Sequence, residues 1–348
     1  MPQNNPISIK LIAWYIKHKR DLPWRNTKDP YKIWLSEIIL QQTQVVQGLN
    51  YYLKFTETFP TIADLANAPE DKVMRLWQGL GYYSRARNLH STAKVIQTNY
   101  KGKFPNTYES IKELKGIGDY TAAAISSFAF KLPHATVDGN VYRVLSRLFN
   151  INTPINSTQG KKEFQLLADE LLNQQNPGLH NSAIMEFGAL WCKPQNPKCE
   201  DCPLQEYCLA YEKKTVHLLP VKEKKIKIKT RYLHYLVFNY KDSVYIQKRN
   251  EKDIWQNLYE FFIIETEEAT DPEVIFKNKN LKRIAEKIEV LSITSEKKHI
   301  LSHQHLYACF YELRIKSPLK SKSLIKVKRK DLMHFGLPQL IIKYLQKR

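Results

Sequence analysis

Cys192, Cys199, Cys202 and Cys208 fall within seventeen residues at the spacing C-x6-C-x2-C-x5-C, and the only other cysteine, Cys309, lies about a hundred residues further on. A chain with that spacing must make a loop that aims four thiols inward. Thiolates are soft ligands that suit an iron–sulfur cluster or Zn2+. The inner pair, Cys199-x2-Cys202, would serve a zinc knuckle, whereas the wider outer spacings are less usual for zinc. Two disulfides would need an oxidising compartment, and the opening MPQNNPISIKLIAWYIKHKR has no apolar run followed by a small-residue cleavage site. A metal centre in a reducing compartment is the expectation.

The charge balance indicates what such a centre serves. With 54 Lys+Arg against 34 Asp+Glu, the chain carries a formal +20, which points to a polyanionic partner such as nucleic acid. No apolar stretch approaches the roughly twenty residues of a membrane span, so a soluble protein is expected. At 348 residues, 43% of them hydrophobic, two domains are expected.

From Lys10 to about Ala210 the pattern is helical. Apolar residues recur at Tyr31, Trp34, Leu35, Ile38, Val45, Val46, Leu49, Tyr52 and Leu53, the recurrence of one packed helix between Pro30 and Phe55. Further helices are expected at 62–66, 71–78, 84–99, 111–114, 120–130, 141–149, 161–173 and 181–191, with Pro and Gly at nearly every junction. The run VKEKKIKIKT (Val221 to Thr230) is lysine-rich with no core-sized apolar face and reads as a solvated linker. Beyond it, segments at 232–240, 243–249, 258–264 and 305–315 read as strands, flanked by helices near 272–288 and 338–347. The expected division is an all-α region over 1–212, a basic linker over 213–230 and a small α+β domain over 231–348.

Within the helical region, Gly116-Ile117-Gly118 makes a tight turn directly before a helix. Glycine lets the backbone approach a partner closely, and the following helix N-terminus presents free N–H groups to a phosphate. In a basic chain this looks like a helix-hairpin-helix clamp on a DNA backbone. Two carboxylates of this region, Glu37 and Asp138, have ordinary readings of their own. On the residues alone, Glu37 reads equally as a solvated glutamate, and Asp138, before Gly139, Asn140 and a helix, reads as an N-cap. An Asp in that place is expected to stay ionised, because helix dipole and N–H bonds favour the carboxylate.

The hairpin and four-cysteine loop, in this order, resemble the endonuclease III superfamily of DNA glycosylases, whose loop binds a [4Fe-4S] cluster. SEIILQQTQV (Ser36 to Val45), QGLGYYSRARNLH (Gln78 to His90) and TVDGNVYRVLSR (Thr136 to Arg147) look specifically like the MutY-type adenine glycosylases. The resemblance spans roughly Arg20 to Cys208 and implies removal of adenine mispaired with 8-oxoguanine or guanine in double-stranded DNA. It implies that Glu37 is the acid, that Asp138 stabilises the transition state with Asn140 beside it, and that Gln42 and Tyr82 enter the base stack. By the same resemblance Arg20, Leu22, Trp24 and Arg25 wall the flipped adenine, and Lys193 and Lys198 lie near a phosphate. Lyase-competent relatives have a lysine two residues after the second hairpin glycine. This chain has Tyr120 there, which implies a monofunctional enzyme.

The C-terminal part looks like the same family's Nudix-fold domain. A hydrolase box needs glycines around a REx2EE core, yet the only glycine after Gly188 is Gly336, so pyrophosphohydrolysis is not expected. Leu301-Ser302-His303 resembles the family's F-S-H loop that recognises 8-oxoguanine, departing from it at Leu301. The expected protein is a monomeric two-domain glycosylase with a [4Fe-4S] cluster, cytoplasmic and associated with the nucleoid through DNA. Two other readings stay open: a glycosylase-lyase acting on oxidised pyrimidines, and a non-catalytic Fe–S DNA-binding or redox-sensing module.

Overall fold

The computed structural model describes residues 5–223, 228–285 and 287–347. By compactness the chain divides into two units, Met1–Asn67 with Asn88–Lys224 and Ala68–Arg87 with Lys225–Arg348. In chain order the helices are α1 (Pro6–His18), α2 (Pro30–Leu40), α3 (Val45–Thr58), α4 (Ile62–Asn67), α5 (Glu70–Leu76), α6 (Ser84–Asn99), α7 (Tyr108–Lys112), α8 (Asp119–Phe130), α9 (Gly139–Leu148), α10 (Thr158–Leu171), α11 (Pro177–Leu190) and α12 (Leu209–Glu212).

Two helices of the first unit, α8 and α11, are buried on almost every face. Small residues allow this. Ala122, Ala123 and Ala124 give α8 close neighbours, and a Cβ on Gly188 of α11 would sit 2.7 Å from the Asn140 Cβ on α9. Helix α11 therefore packs against α1, α8 and α9, while α2 packs against α8 and α3. Each fully buried aliphatic side chain, such as Leu35 or Ile39 of α2, contributes about 2 kcal/mol to this arrangement. The consequence for function is that α2, α8, α9 and α11 converge.

The single helix expected from Pro30 to Phe55 is broken. Helix α2 stops at Leu40 and α3 starts at Val45, with Gln42 in the left-handed region at φ +54°. The run Gln41-Gln42-Thr43-Gln44 offers no apolar side chain to hold a continuing helix against the core. Gly48 lets the chain fold back, since a Cβ there would come within 2.7 Å of the Leu40 side chain.

The expected linker falls partly outside the described residues, at 224–227. From Val221 on, its described residues are exposed or half-exposed, and its N-terminal part is also hydrogen-bonded: the Ile155 N–H donates to the Val221 carbonyl at 3.0 Å, and the Glu223 N–H donates to Asn156 Oδ1 at 2.9 Å.

The second unit contains β1 (Lys229–Tyr240), β2 (Ser243–Lys248), β3 (Tyr259–Thr266), α13 (Pro272–Phe276), α14 (Lys279–Ile284), β4 (Ile288–Ile293), β5 (Lys297–Leu301), β6 (Gln304–Ile315), β7 (Ile325–Lys328) and α15 (Gln339–Leu345). The sheet order is β4-β6-β1-β3-β2-β7, with β5 also on β6; β1 and β6 are parallel and the other pairs antiparallel. Side chains alternate between two covered faces. Leu236, Phe238, Tyr311 and Leu313 pack with Ile275 and Leu281 of α13 and α14, whereas Phe310 stacks on Tyr344 of α15 at 3.9 Å.

Strands β4, β5 and β7 escape the sequence reading because they are short and show no clean burial alternation. Val290, Leu291 and Ile293 of β4 are all exposed. The helix expected near 272–288 resolves into α13 and α14, and β4 already begins at Ile288. Segment Ala68–Arg87 packs into this unit: Lys248 Nζ lies 2.9 Å from Asp71 Oδ1, and Arg87 Nη1 donates to the Gln256 carbonyl at 2.8 Å.

Candidate active site

Asp29 caps α2 by accepting the Tyr31 N–H at 2.9 Å, with Pro30 starting the helix. Two turns on, Glu37 points inward and is only 3% exposed. Its Oε2 accepts the Tyr120 hydroxyl at 2.9 Å. Its Oε1 is buried with no hydrogen-bond partner, and Arg25 Nη1 lies 3.5 Å away. Burial pushes the Glu37 carboxyl above its ordinary value; Arg25 and the Tyr120 hydroxyl pull it down, and Asp138 pushes it up again. An acid in this setting holds a proton longer than a solvated glutamate does.

Tyr120 sits in the first turn of α8, where its hydroxyl also lies 3.5 Å from Met185 Sδ on α11. Burial holds its phenol well above its ordinary value, helped by the neighbouring Glu37 and Asp138, so it remains a donor. Arg25 places its guanidinium 4.4 Å from the centre of the Phe128 ring.

Asp138 caps α9: Oδ1 accepts the N–H groups of Asn140 at 2.9 Å and Val141 at 2.8 Å, and Oδ2 accepts Asn140 Nδ2 at 2.8 Å. All three partners are donors, the arrangement an anion takes. The sequence reading gave the helix terminus the upper hand, but burial is the larger effect and moves this carboxyl above its ordinary value. The Val141 and Asn140 donors and Arg143 pull it back.

Two further arginines, Arg143 in the middle of α9 and Arg147 in its last turn, tie the helix to the segments packed against it. Arg143 donates to Asn140 Oδ1 at 2.9 Å, to the Gly188 carbonyl at 2.6 Å and to the Cys192 carbonyl at 2.8 Å. Arg147 donates to the carbonyls of Lys193 at 2.8 Å and Val216 at 3.0 Å, and its Nη1 lies 3.4 Å from Cys192 Sγ. Their i, i+4 spacing in VYRVLSR puts both on one helix face, a signal present in the sequence.

The four cysteines are free and only partly buried. Burial and the mutual repulsion of their thiolates raise Cys199 and Cys208, and push Cys202 up to about 12. Sulfurs that repel one another in a half-buried loop suit a cationic centre that takes them all as thiolates.

The remaining candidates are distributed as follows. Arg20 is engaged by Glu186, through Nε to Oε1 and Nη2 to Oε2, both at 2.7 Å. Leu22 is buried at 8% exposure, and Trp24, at 2%, packs edge-on against Tyr52. Gly116 has φ +83°, and a Cβ there would meet Asn88 Cβ at 2.7 Å; Gly118 caps α8 through its backbone. Lys198 Nζ lies 4.5 Å from the centre of the Trp191 ring. Gln42 and Tyr82 are both exposed and both left-handed, at φ +54° and +45°. That backbone is uncommon for side chains of their size and concentrates at functional sites.

In the second unit, Ser302 and His303 form the exposed two-residue turn between β5 and β6, closed by pairing of Leu301 with Gln304. Tyr82 and Ser302 are hydrogen-bonded through their hydroxyls. Together with Arg87, Asp253 and Trp255 they line a cavity of about 430 Å³.

Three family models match this chain: the HhH-GPD superfamily of base excision DNA repair proteins over residues 35–173, the iron-sulfur binding domain of endonuclease III over 192–208, and a NUDIX domain over 233–347. The adenine DNA glycosylase of Buchnera aphidicola subsp. Baizongia pistaciae (strain Bp) is 39% identical over 303 residues, covering 85% of this chain and 83% of that protein. The adenine DNA glycosylase of Buchnera aphidicola subsp. Acyrthosiphon pisum (strain APS) is 32% identical over 347 residues, 97% of this chain and 95% of that one. Among solved structures, a thermostable thymine-DNA glycosylase superposes with a TM-score of 0.56 at 31% identity, covering 61% of this chain and 97% of that chain.

Proposed function

The chain belongs to the adenine DNA glycosylase family, and we propose that it removes adenine paired with 8-oxoguanine, leaves an abasic site and does not cut the strand. It is a base-excision repair enzyme with a helical glycosylase region followed by a Nudix-like domain, and it carries a [4Fe-4S] cluster on Cys192, Cys199, Cys202 and Cys208. When bound, the cluster holds its loop in a fixed shape. The chain's own part in that is Arg147, which donates to the loop's carbonyls and to a cysteine sulfur.

The observation that carries the reading is the buried Glu37 carboxyl near Asp138, whose Oε1 makes no hydrogen bond and lies 3.5 Å from Arg25 Nη1, with burial favouring its protonated form. In the reaction, Glu37 gives its proton to a ring nitrogen of the extruded adenine. The C1′–N9 bond then breaks, its electron pair leaving with the base. The sugar becomes an oxocarbenium ion, and the Asp138 carboxylate, fixed by three donors, stabilises it. Water adds to C1′ and returns a proton to Glu37. Tyr120 holds Oε2, so Oε1 is the oxygen left to face the base. With a phenol where lyases carry an amine, no Schiff base forms at that position.

The extruded base leaves a gap, and Gln42 and Tyr82 are the side chains we assign to fill it. The Gly116–Gly118 turn and the N-terminus of α8 grip the backbone. Adenine is a normal base, so selectivity must come from its partner. Ser302 and His303, in the lining of the 430 Å³ cavity, are assigned to read the N7–H and O8 that distinguish 8-oxoguanine from guanine. Among the described residues no helix is long and apolar enough to cross a membrane.

The test is single-turnover adenine release from duplexes with 8-oxoguanine, guanine or thymine opposite adenine. The reading expects the fastest release opposite 8-oxoguanine and almost none opposite thymine. Equal rates on all three would overturn the assigned selectivity, and incision of thymine-glycol DNA would favour the lyase alternative.

A further inference from the structure

One guanidinium ties Gln304, the residue behind the recognition turn, to two carboxylates of the unit. Arg231 on β1 is almost fully buried and uses every face of its fork. Nε and Nη2 donate to the two Glu265 carboxylate oxygens at 2.6 Å each, and Nη1 and Nη2 donate to Asp253 Oδ1 and Oδ2 at 3.0 and 2.7 Å. The same Nη1 donates to Gln304 Oε1 at 3.1 Å. Gln304 is the residue that follows His303 and closes the turn against Leu301. Beside it, the Lys229 N–H donates to the His303 carbonyl at 3.1 Å.

Asp253 also accepts Arg249 Nη2 at 2.9 Å, and with Ile254 and Trp255 it lines the same cavity as Ser302 and His303. The turn and the Asp253–Trp255 segment are therefore both referenced to a single cation that cannot lose its charge at any working pH. Ser302 and His303 are exposed; the Ser302 hydroxyl meets Tyr82, and the backbone of the turn rests on what anchors the strand ends behind it.

We propose that Arg231, acting through Gln304, is a positioning residue that fixes the Ser302–His303 turn against the Asp253–Trp255 wall and so sets the preference for 8-oxoguanine over guanine. This rests on the reading that the turn contacts the base opposite adenine. Arg231 touches no base itself. Its contribution is to hold the turn's donors and acceptors within the narrow geometry that hydrogen bonding requires.

Replacing Arg231 would leave Asp253 and Glu265 facing each other without their shared cation and endanger folding, so the test is made at Gln304. Gln304→Leu removes the acceptor while Arg231 keeps both carboxylates. Gln304→Glu retains an acceptor and serves as the conservative rescue. The measurement is the ratio of single-turnover excision rates and of binding constants on duplexes with 8-oxoguanine or guanine opposite adenine, alongside the melting temperature. Gln304→Leu is expected to lower the ratio about tenfold, the scale of one lost hydrogen bond, and Gln304→Glu to restore it. A ratio unchanged in Gln304→Leu but lost in the Ser302→Ala/His303→Ala variant would overturn the inference and leave the recognition reading standing. A ratio unchanged in both would overturn the two together. An equal fall on both duplexes would make Gln304 merely structural and also overturn the proposal.

Discussion

Tyr120 donates its phenolic proton to Glu37 Oε2 across 2.9 Å, joining the first turn of α8 to the interior of α2. A donor aimed at a carboxylate stabilises the ionised form, so this bond lowers the Glu37 pKa against the burial that raises it. Removing it has a signed consequence. Tyr120→Phe should move the alkaline limb of the excision pH profile upward, because Glu37 then keeps its proton to higher pH. Arg25→Met should shift the limb the same way. A limb that stays in place in both variants would mean that Glu37 is not the titrating acid.

Glu37→Gln retains shape and removes the proton donor, so excision should fall at least ~10²-fold while mismatch binding persists. Stability moves in the opposite direction. Because the folded pKa of Glu37 is raised, its favourable contribution is complete below the unfolded value and is lost as pH rises through the folded value. The variant should therefore melt above the parent at neutral and alkaline pH, with the difference vanishing in acid. Calorimetry across the pH range checks the sign.

Asp138 is both cap and candidate stabiliser, and Asp138→Asn separates the two. Asparagine caps a helix about as well as aspartate, so the melting temperature should change little. The charge opposite the oxocarbenium is lost, and excision should fall ~10²-fold or more. Loss of stability in proportion to loss of activity would reduce Asp138 to a cap.

Cys199→Ser should lose the cluster and DNA binding together, and the parent should contain about four irons per chain with broad visible absorbance. Stoichiometric zinc in anaerobically purified protein would contradict the cluster. Ordering of the loop through Arg147 makes a second check available: Arg147→Met removes the donors to the Lys193 carbonyl and Cys192 Sγ and should accelerate cluster loss.

Much of this was legible in the sequence. Helices α4, α6, α8, α9 and α11 follow apolar periodicity bounded by Pro, Gly and capping residues, and the four cysteines announce their loop by spacing alone. What stayed hidden has physical causes. The break at Gln42 depends on α3 folding back on α2, which no local pattern encodes. The edge strands β4 and β7 bury too little to alternate. Glu37 stood at even odds with a solvated glutamate because its burial is made by α8 and by Arg25, distant in sequence. Trp24, which the resemblance places in the wall around the flipped adenine, is buried against Tyr52, a contact that no local pattern encodes.

The central claim is hydrolytic removal of adenine by Glu37 and Asp138 without strand cleavage, and one experiment addresses it directly. A labelled duplex with adenine opposite 8-oxoguanine is incubated with enzyme under single-turnover conditions, then divided between hot alkali, no treatment and borohydride. The account predicts a strand break only after alkali, free adenine in equal yield, no borohydride-trapped complex, and loss of all product in Glu37→Gln. Strand scission without alkali, trapping that is indifferent to position 120, or product formation by Glu37→Gln at the parent's rate would contradict it.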